Sequence, residues 1–362
     1  MNLPSNNPAP PPPEELPVGG PQPLAAADVL PPVRPPSASF LMQLFFIPLI
    51  IVSIIVVVWL LFSWLAHLGT RPQELVRDLE ALNHASWQRA LTLANLLRDP
   101  RNEELRRDTQ LAQQLASLLQ RQLDEGRTDQ DRIWLRLYLC RALGEFQVTD
   151  GLPVLRAAAT HERDPAEIDV RRAAVQAIAL LCDRVGPEQV LARPDVLRCL
   201  FRAAALHGDA QDAQPARGEL RSNAAFALGL IGGPQTGDHL ATMLADPYPN
   251  ARYNAATGLA RLGDPRAVPR LVEMLQIDNP DAIRFETDRS QQRWKQELVL
   301  LNALRAVQLL AAGNQQVDLA SLSPAIESLL QADLGPAVEL QARDALRELR
   351  ERPPANPPPG EA

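Results

Sequence analysis

The segment Arg221-Ser222-Asn223-Ala224-Ala225-Phe226-Ala227-Leu228-Gly229-Leu230-Ile231-Gly232 returns as Arg252-Tyr253-Asn254-Ala255-Ala256-Thr257-Gly258-Leu259-Ala260-Arg261-Leu262-Gly263. The two copies line up at a constant offset of 31 residues (252 − 221 = 31). The register persists beyond them, since Leu240, Met243 and Leu244 correspond to Leu271, Met274 and Leu275. A fixed period of this size predicts stacked helical pairs, because a single pair has too little apolar surface to bury alone.

Each half of the unit reads as a helix. Ala255, Ala256, Leu259 and Leu262 recur at helical spacing and form one apolar stripe, in which the small alanines admit a close neighbour. Gly263 then ends the helix, as glycine does by adopting a left-handed backbone without steric cost. Asp264-Pro265 follows as N-cap and first residue of the next helix, which carries Val268, Leu271, Met274 and Leu275. The run Arg252-x-x-Ala255-Ala256-x-x-Leu259-x-x-x-Gly263-Asp264-Pro265-x-Ala267-x-Pro269-x-Leu271-x-x-x-Leu275 resembles HEAT repeats, specifically the HEAT-like repeat named after phycocyanobilin lyases. The resemblance covers residues 221–276 and implies an all-α, right-handed α-solenoid of stacked helical hairpins. The family's name also implies a bilin lyase, but the matching residues carry only the scaffold and no motif for attaching a chromophore.

Degenerate copies flank this centre. Arg136 to Phe146 aligns with Arg221 to Ile231, and Gly151-Leu152-Pro153-Val154-Leu155 opens its following helix. Arg171-Arg172-Ala173-Ala174 begins another copy. Leu298 to Leu310, then Pro324 to Leu330, form a later one, and Val338 to Leu349 reads as a closing helix. Residues 71–126 carry leucines at helical period, interrupted by Asp99-Pro100, and read as two or three terminal helices. The expected solenoid therefore covers residues 71–350.

Composition agrees with helix-on-helix layers. The chain has 362 residues, 46% hydrophobic but only 4% aromatic, which disfavours a sheet-based core. The formal charge of −7 disfavours a surface built to neutralise phosphates, so no nucleic-acid partner is expected. Lys295 is the sole lysine among 36 cationic side chains. Cys140, Cys182 and Cys199 fall inside predicted helices without metal-ligand spacing, so neither a disulfide nor a zinc site is expected.

Residues 1–38 are dense in proline and too poor in apolar side chains to fold, and residues 351–362 read the same way. Between the first tail and the solenoid, Phe40 to Leu65 is an uncharged apolar run, which predicts a single-pass transmembrane helix over residues 39–68. It is too long, and starts too late, for the apolar region of a cleaved signal peptide. Arg34 precedes the run, while Arg71, Arg77 and Arg89 follow it, so positive-inside counting favours a cytoplasmic solenoid. An exported solenoid with a cytoplasmic tail is the alternative, because long domains cross largely regardless of charge.

The usual signs of catalysis do not appear. His67, His84, His161, His207 and His239 are scattered, without the paired spacing of a metalloprotease. The glycines from Gly229 to Gly237 lack the strand and the Lys-Ser/Thr of a phosphate loop, and read as a helix-helix turn. No catalytic, cofactor-binding or metal-binding residue is nominated. Arg136, Arg171, Arg221 and Arg252 recur at matching positions and read as structural, pairing with acids such as Asp246 ahead of Arg252, rather than as an anion-binding stripe. The turns inside the pairs are short at Asp246 to Asn250 and longer at His161 to Asp169, His207 to Glu219 and Asp278 to Gln292. The longer turns are expected on one edge, with Arg284, Phe285 and Trp294 as partner contacts. The sequence thus reads as a non-catalytic, membrane-anchored scaffold for a protein partner. The alternative is an accessory lyase-like protein whose solenoid holds a small molecule.

Overall fold

The computed structural model describes residues 37–67, 79, 85–208 and 214–352. The expected tails at 1–38 and 351–362 lie outside these residues, save for 37–38 and 351–352. The chain divides into two units, Met1–Gly69 and Thr70–Ala362. The described part of the first is one helix, α1 (Ala38–His67), with Pro48 inside it. Its 30 residues span about 45 Å at ~1.5 Å each. Within it, Met42–Ser63 has a mean hydropathy of 3.2 and no residue buried by protein, so it is long and apolar enough to cross a membrane.

The second unit is all helix and turn among the described residues. It contains α2 (Ser86–Arg98), α3 (Glu103–Arg106), α4 (Thr109–Glu125), α5 (Gln130–Gly144), α6 (Leu152–Ala159), α7 (Ile168–Val185), α8 (Pro187–Leu191) and α9 (Pro194–Ala204). After these come α10 (Pro215–Ile231), α11 (Thr236–Met243), α12 (Pro249–Arg261), α13 (Val268–Met274), α14 (Arg289–Gly313), α15 (Leu322–Leu329) and α16 (Pro336–Glu351). Six hairpins pair α4 with α5, α6 with α7, α9 with α10, α11 with α12, α13 with α14, and α15 with α16. The second helices form a continuous layer in which α2, α5, α7, α10, α12, α14 and α16 each pack on the next. The expected stack of helical hairpins is therefore the architecture of this unit.

The quoted repeat explains why the layer closes so tightly. Ala224, Ala225 and Leu228 of α10, and Ala255, Ala256 and Leu259 of α12, are fully buried. A Cβ on Gly229 would lie only 2.4 Å from the Gly258 Cα, so the two helices touch backbone to backbone. Gly144 meets Ala177 between α5 and α7 in the same way, with 2.8 Å to its Cα. The expected glycine turn at 229–237 is accordingly shorter: α10 continues to Ile231, and Gly229 is a packing residue inside it. Helix termination is as expected at Gly263 (φ +72°), which its counterpart Gly232 (φ +68°) repeats. The Asp264 side chain accepts from the Arg266 N–H at 3.0 Å, and a 3-10 turn over Pro265–Ala267 leads into α13.

Candidate partner-binding surface

The fate of the repeated arginines decides whether the unit carries an anion-binding stripe. Arg136 donates to the Gln122 carbonyl at the end of its own first helix (3.3 Å) and to Glu167 in the next hairpin (2.5 Å), with both side chains buried. Arg221 makes two hydrogen bonds to Asp246 of the following hairpin, at 2.7 and 2.9 Å. Arg252 donates to the Asp246 carbonyl (2.8 Å) and pairs with Asp281 one hairpin further on. Arg171 departs from the pattern: it donates to the Ala159 carbonyl (3.1 Å) and pairs with Glu162 of its own turn.

Each of these guanidinium groups has a carboxylate partner. Arg136, Arg171 and Arg252 also satisfy carbonyls at or just beyond the end of a first helix, where a cation offsets the helix dipole. Asp246 is shared between two of these arginines. Its carboxylate binds Arg221 of the preceding hairpin, and only its backbone carbonyl serves Arg252. The pairs therefore tie neighbours together, and the stripe is spent on structure.

The turns from first to second helix run along one edge, linked by contacts between successive hairpins. Glu162 and Asp164 share a hollow of about 160 Å³ with Gln214 and Arg217. Further along, the Tyr248 hydroxyl donates to Glu219, and the Tyr248 ring stacks on Phe285 with centroids 5.0 Å apart. Burial, together with the neighbouring Glu219 carboxylate, raises the Tyr248 pKa. A side chain on Gly218 would strike the Tyr248 ring at 2.3 Å, so glycine there admits the tyrosine.

Of the three expected contact residues, the structure brings two together. The Arg284 guanidinium lies over the Phe285 ring, 5.7 Å from its centroid. Phe285 remains 44% exposed although it rests on Tyr248. Trp294 stands on α14, 64% exposed and outside that stack. The segment Asp278–Gln292 is less free than a surface insertion. Asp281 binds Arg252, Asn279 donates to the Tyr253 hydroxyl (2.9 Å), and residues from Arg289 onward already belong to α14.

A second surface escaped the sequence reading. In the second-helix layer, Trp87 of α2 packs on Trp134 (4.8 Å between centroids) and Tyr138 (6.0 Å) of α5, and Arg141 covers the Tyr138 ring. Tyr138 stands two residues after Arg136, as Asn223 stands after Arg221 and Asn254 after Arg252. That counting was available in the sequence; the pairing with Trp87 lies across hairpins that do not share the motif. Toward the other end of the layer, Glu219, Asn223, Tyr253, Asn254, Lys295 and Asn302 border an open hollow of about 230 Å³.

Among the described residues, no group of three or more His, Cys, Asp or Glu side chains is arranged to hold a metal ion. The three cysteines are buried, and burial pushes the Cys140 thiol up to about 12 and those of Cys182 and Cys199 to about 11. Such thiols are poor nucleophiles.

Residues 210–288 match the HEAT-repeat family. The matched HEAT-like segment runs from just before α10 to the start of α14 and contains the repeat quoted first. No curated protein sequence matches the chain. An engineered protein of known structure shares 18% identity, over 72% of this chain and 96% of its own, with a TM-score of 0.34. Human deoxyhypusine hydroxylase in complex with glycerol shares 17%, over 76% of this chain and 97% of its own, with a TM-score of 0.30.

Proposed function

We propose that this protein is a non-catalytic, single-pass membrane-anchored scaffold whose HEAT-like solenoid holds a protein partner near the membrane. The observation that carries the reading is α1. Its 22-residue run Met42–Ser63 has no residue buried by protein. So large an apolar surface needs a non-aqueous cover, and lipid supplies it. The arginines at 71, 77 and 89 against the single Arg34 favour a cytoplasmic solenoid.

Partner binding follows from what the HEAT-like unit offers. Stacked hairpins display long surfaces without needing a catalytic centre. The hollows at the turn edge and on the second-helix layer are open to solvent, which suits a polypeptide better than an enclosed chromophore or other small ligand. The finer likeness to phycocyanobilin-lyase repeats adds a scaffold to this reading and no chemistry. A nucleic-acid partner is disfavoured by the net charge and by the carboxylates already bound to the repeated arginines.

The edge around Arg284, Phe285 and Trp294 is the proposed contact. Arg284→Ala and Trp294→Ala remove exposed side chains, so neither should disturb folding. Affinity capture with the detergent-solubilised full chain tests the site. The double variant should lose at least one protein that the unaltered chain retains. Retention of every such protein would move the contact to another surface.

A further inference from the structure

The offset of 31 residues places His239 of α11 where α13 has Arg270, and Thr242 where it has Glu273. Arg270 pairs with Glu273 and donates to the Leu244 carbonyl just past α11 (2.9 Å), so it bridges the two first helices. The shorter His239 instead lies face to face with the Phe201 ring of α9, with centroids 3.8 Å apart. Beside the stacked rings a slot of about 260 Å³ opens between the ends of α9 and α11. A water molecule takes about 30 Å³ of liquid, so the slot has room for a large side chain. Ala204, Leu206 and Met243 give it an apolar lining, and Leu206 is 50% exposed.

The charge beside this slot is uncompensated. Arg198, Phe201 and Arg202 stand at i, i+3 and i+4 on one side of α9. Both arginines are exposed, and neither side chain makes an ion pair or hydrogen bond among the described residues. The carboxylates of the neighbourhood are engaged elsewhere: Asp195 with Arg156 (2.9 Å), Asp238 with Arg266 (3.0 Å), and Asp246, which borders the slot, with Arg221 (2.7 Å).

We propose that this slot takes a leucine side chain of the protein partner, carried on an acidic helix whose carboxylates reach Arg198 and Arg202. The proposal rests on the scaffold reading above. A helix sets its i, i+3 and i+4 side chains on one face, so Arg198-x-x-Phe201-Arg202 is matched by Glu-x-x-Leu-Glu in the partner. The leucine gains by leaving water for the slot. The guanidinium groups, whose planar forks suit carboxylates, set the orientation of the incoming helix. In a chain of net charge −7, two unpaired cations beside an apolar opening select by position and not through bulk attraction.

The test uses the full chain in an uncharged detergent and three fluorescein-labelled pools of helix-forming peptides about fifteen residues long. The pools carry a central Glu-x-x-Leu-Glu, Lys-x-x-Leu-Lys or Glu-x-x-Ser-Glu. The first should bind about tenfold more tightly than either of the others. Arg198→Glu combined with Arg202→Glu should turn the preference toward the lysine pool. Ala205→Trp fills the slot from an exposed position, and should weaken the first pool about tenfold at unchanged melting temperature. Equal binding of the three pools, a preference unaltered by the arginine variants, or a first-pool affinity unaltered by Ala205→Trp would overturn the proposal. Sedimentation showing that the chain pairs with itself, and that Ala205→Trp abolishes the pairing, would also overturn it, since the occupant would then be a second copy. If no pool binds while protein capture still depends on Arg284 and Trp294, the slot is rejected and the scaffold reading stands. A full chain that binds no pool and captures no protein rejects both.

Discussion

The Arg221 guanidinium and the Asp246 carboxylate, from consecutive hairpins, meet in two hydrogen bonds of 2.7 and 2.9 Å, with neither side chain more than 2% exposed. Removing one member leaves the other charged and dry. Asp246→Ala should therefore destabilise the solenoid by about 3–5 kcal/mol, while the apolar double replacement Arg221→Met with Asp246→Leu should recover most of that loss. Denaturant melts of the two variants beside the unaltered chain check the ordering. Equal losses for both would show that the pair's geometry, and not its burial, sets the cost.

Backbone contact between α10 and α12 gives a second expectation. Gly229→Ala would force a Cβ to 2.4 Å from the Gly258 Cα and should cost about 1–3 kcal/mol. Gly237→Ala on α11 would meet only the flexible Arg266 and Asp264 side chains, at 3.3 and 3.4 Å. There the usual helix preference should prevail, and the change should be neutral or stabilising by up to about 1 kcal/mol. Thermal melting of both variants separates the two effects.

The fold was legible because its signal is local and repeated. Ala255, Leu259 and Gly263 report the stripe and its end within a dozen residues, and the offset of 31 reports the stack. What stayed hidden depends on contacts between hairpins. Asp246 was legible as an acid for the repeated arginines, but only the stack shows that its carboxylate goes to Arg221 of the preceding hairpin. Phe285 looked like a free aromatic until Tyr248 was found beneath it. Trp87, Trp134 and Tyr138 belong to helices whose repeat signature is degenerate, so the spacing placed Tyr138 in the repeat register but did not announce its pairing with Trp87.

The buried thiols predict chemical silence. Cys140, Cys182 and Cys199, with pKa raised by burial to about 12, 11 and 11, should resist maleimide at neutral pH in the folded chain and react once it is unfolded. Orientation in a membrane therefore cannot be read from Cys140, which is fully buried. A cysteine placed at exposed Gln88 should serve instead. With a cytoplasmic solenoid, an impermeant maleimide should label it only after cells are opened. Labelling in intact cells would reverse the orientation.

Alkaline pH should weaken the turn edge. Burial raises the pKa of Tyr253 to about 12 and also raises that of Tyr248, so the folded state favours the neutral phenols. Their contribution is fully present below the unfolded tyrosine value of about 10 and is lost as pH rises from there through the folded values. Denaturation midpoints measured between pH 9 and 12 should fall above pH 10, and Tyr253→Phe should flatten part of that fall. An unchanged slope in the variant would assign the loss to other groups.

Membrane fractionation, followed by affinity capture from each fraction, tests the proposed role most directly. It compares the full chain with one lacking residues 40–65. The account predicts that the full chain sits in the membrane fraction together with the proteins it captures, and that the deletion moves both into the soluble fraction. A deleted chain that stays with the membranes, or a full chain that captures no protein in either fraction, would contradict it.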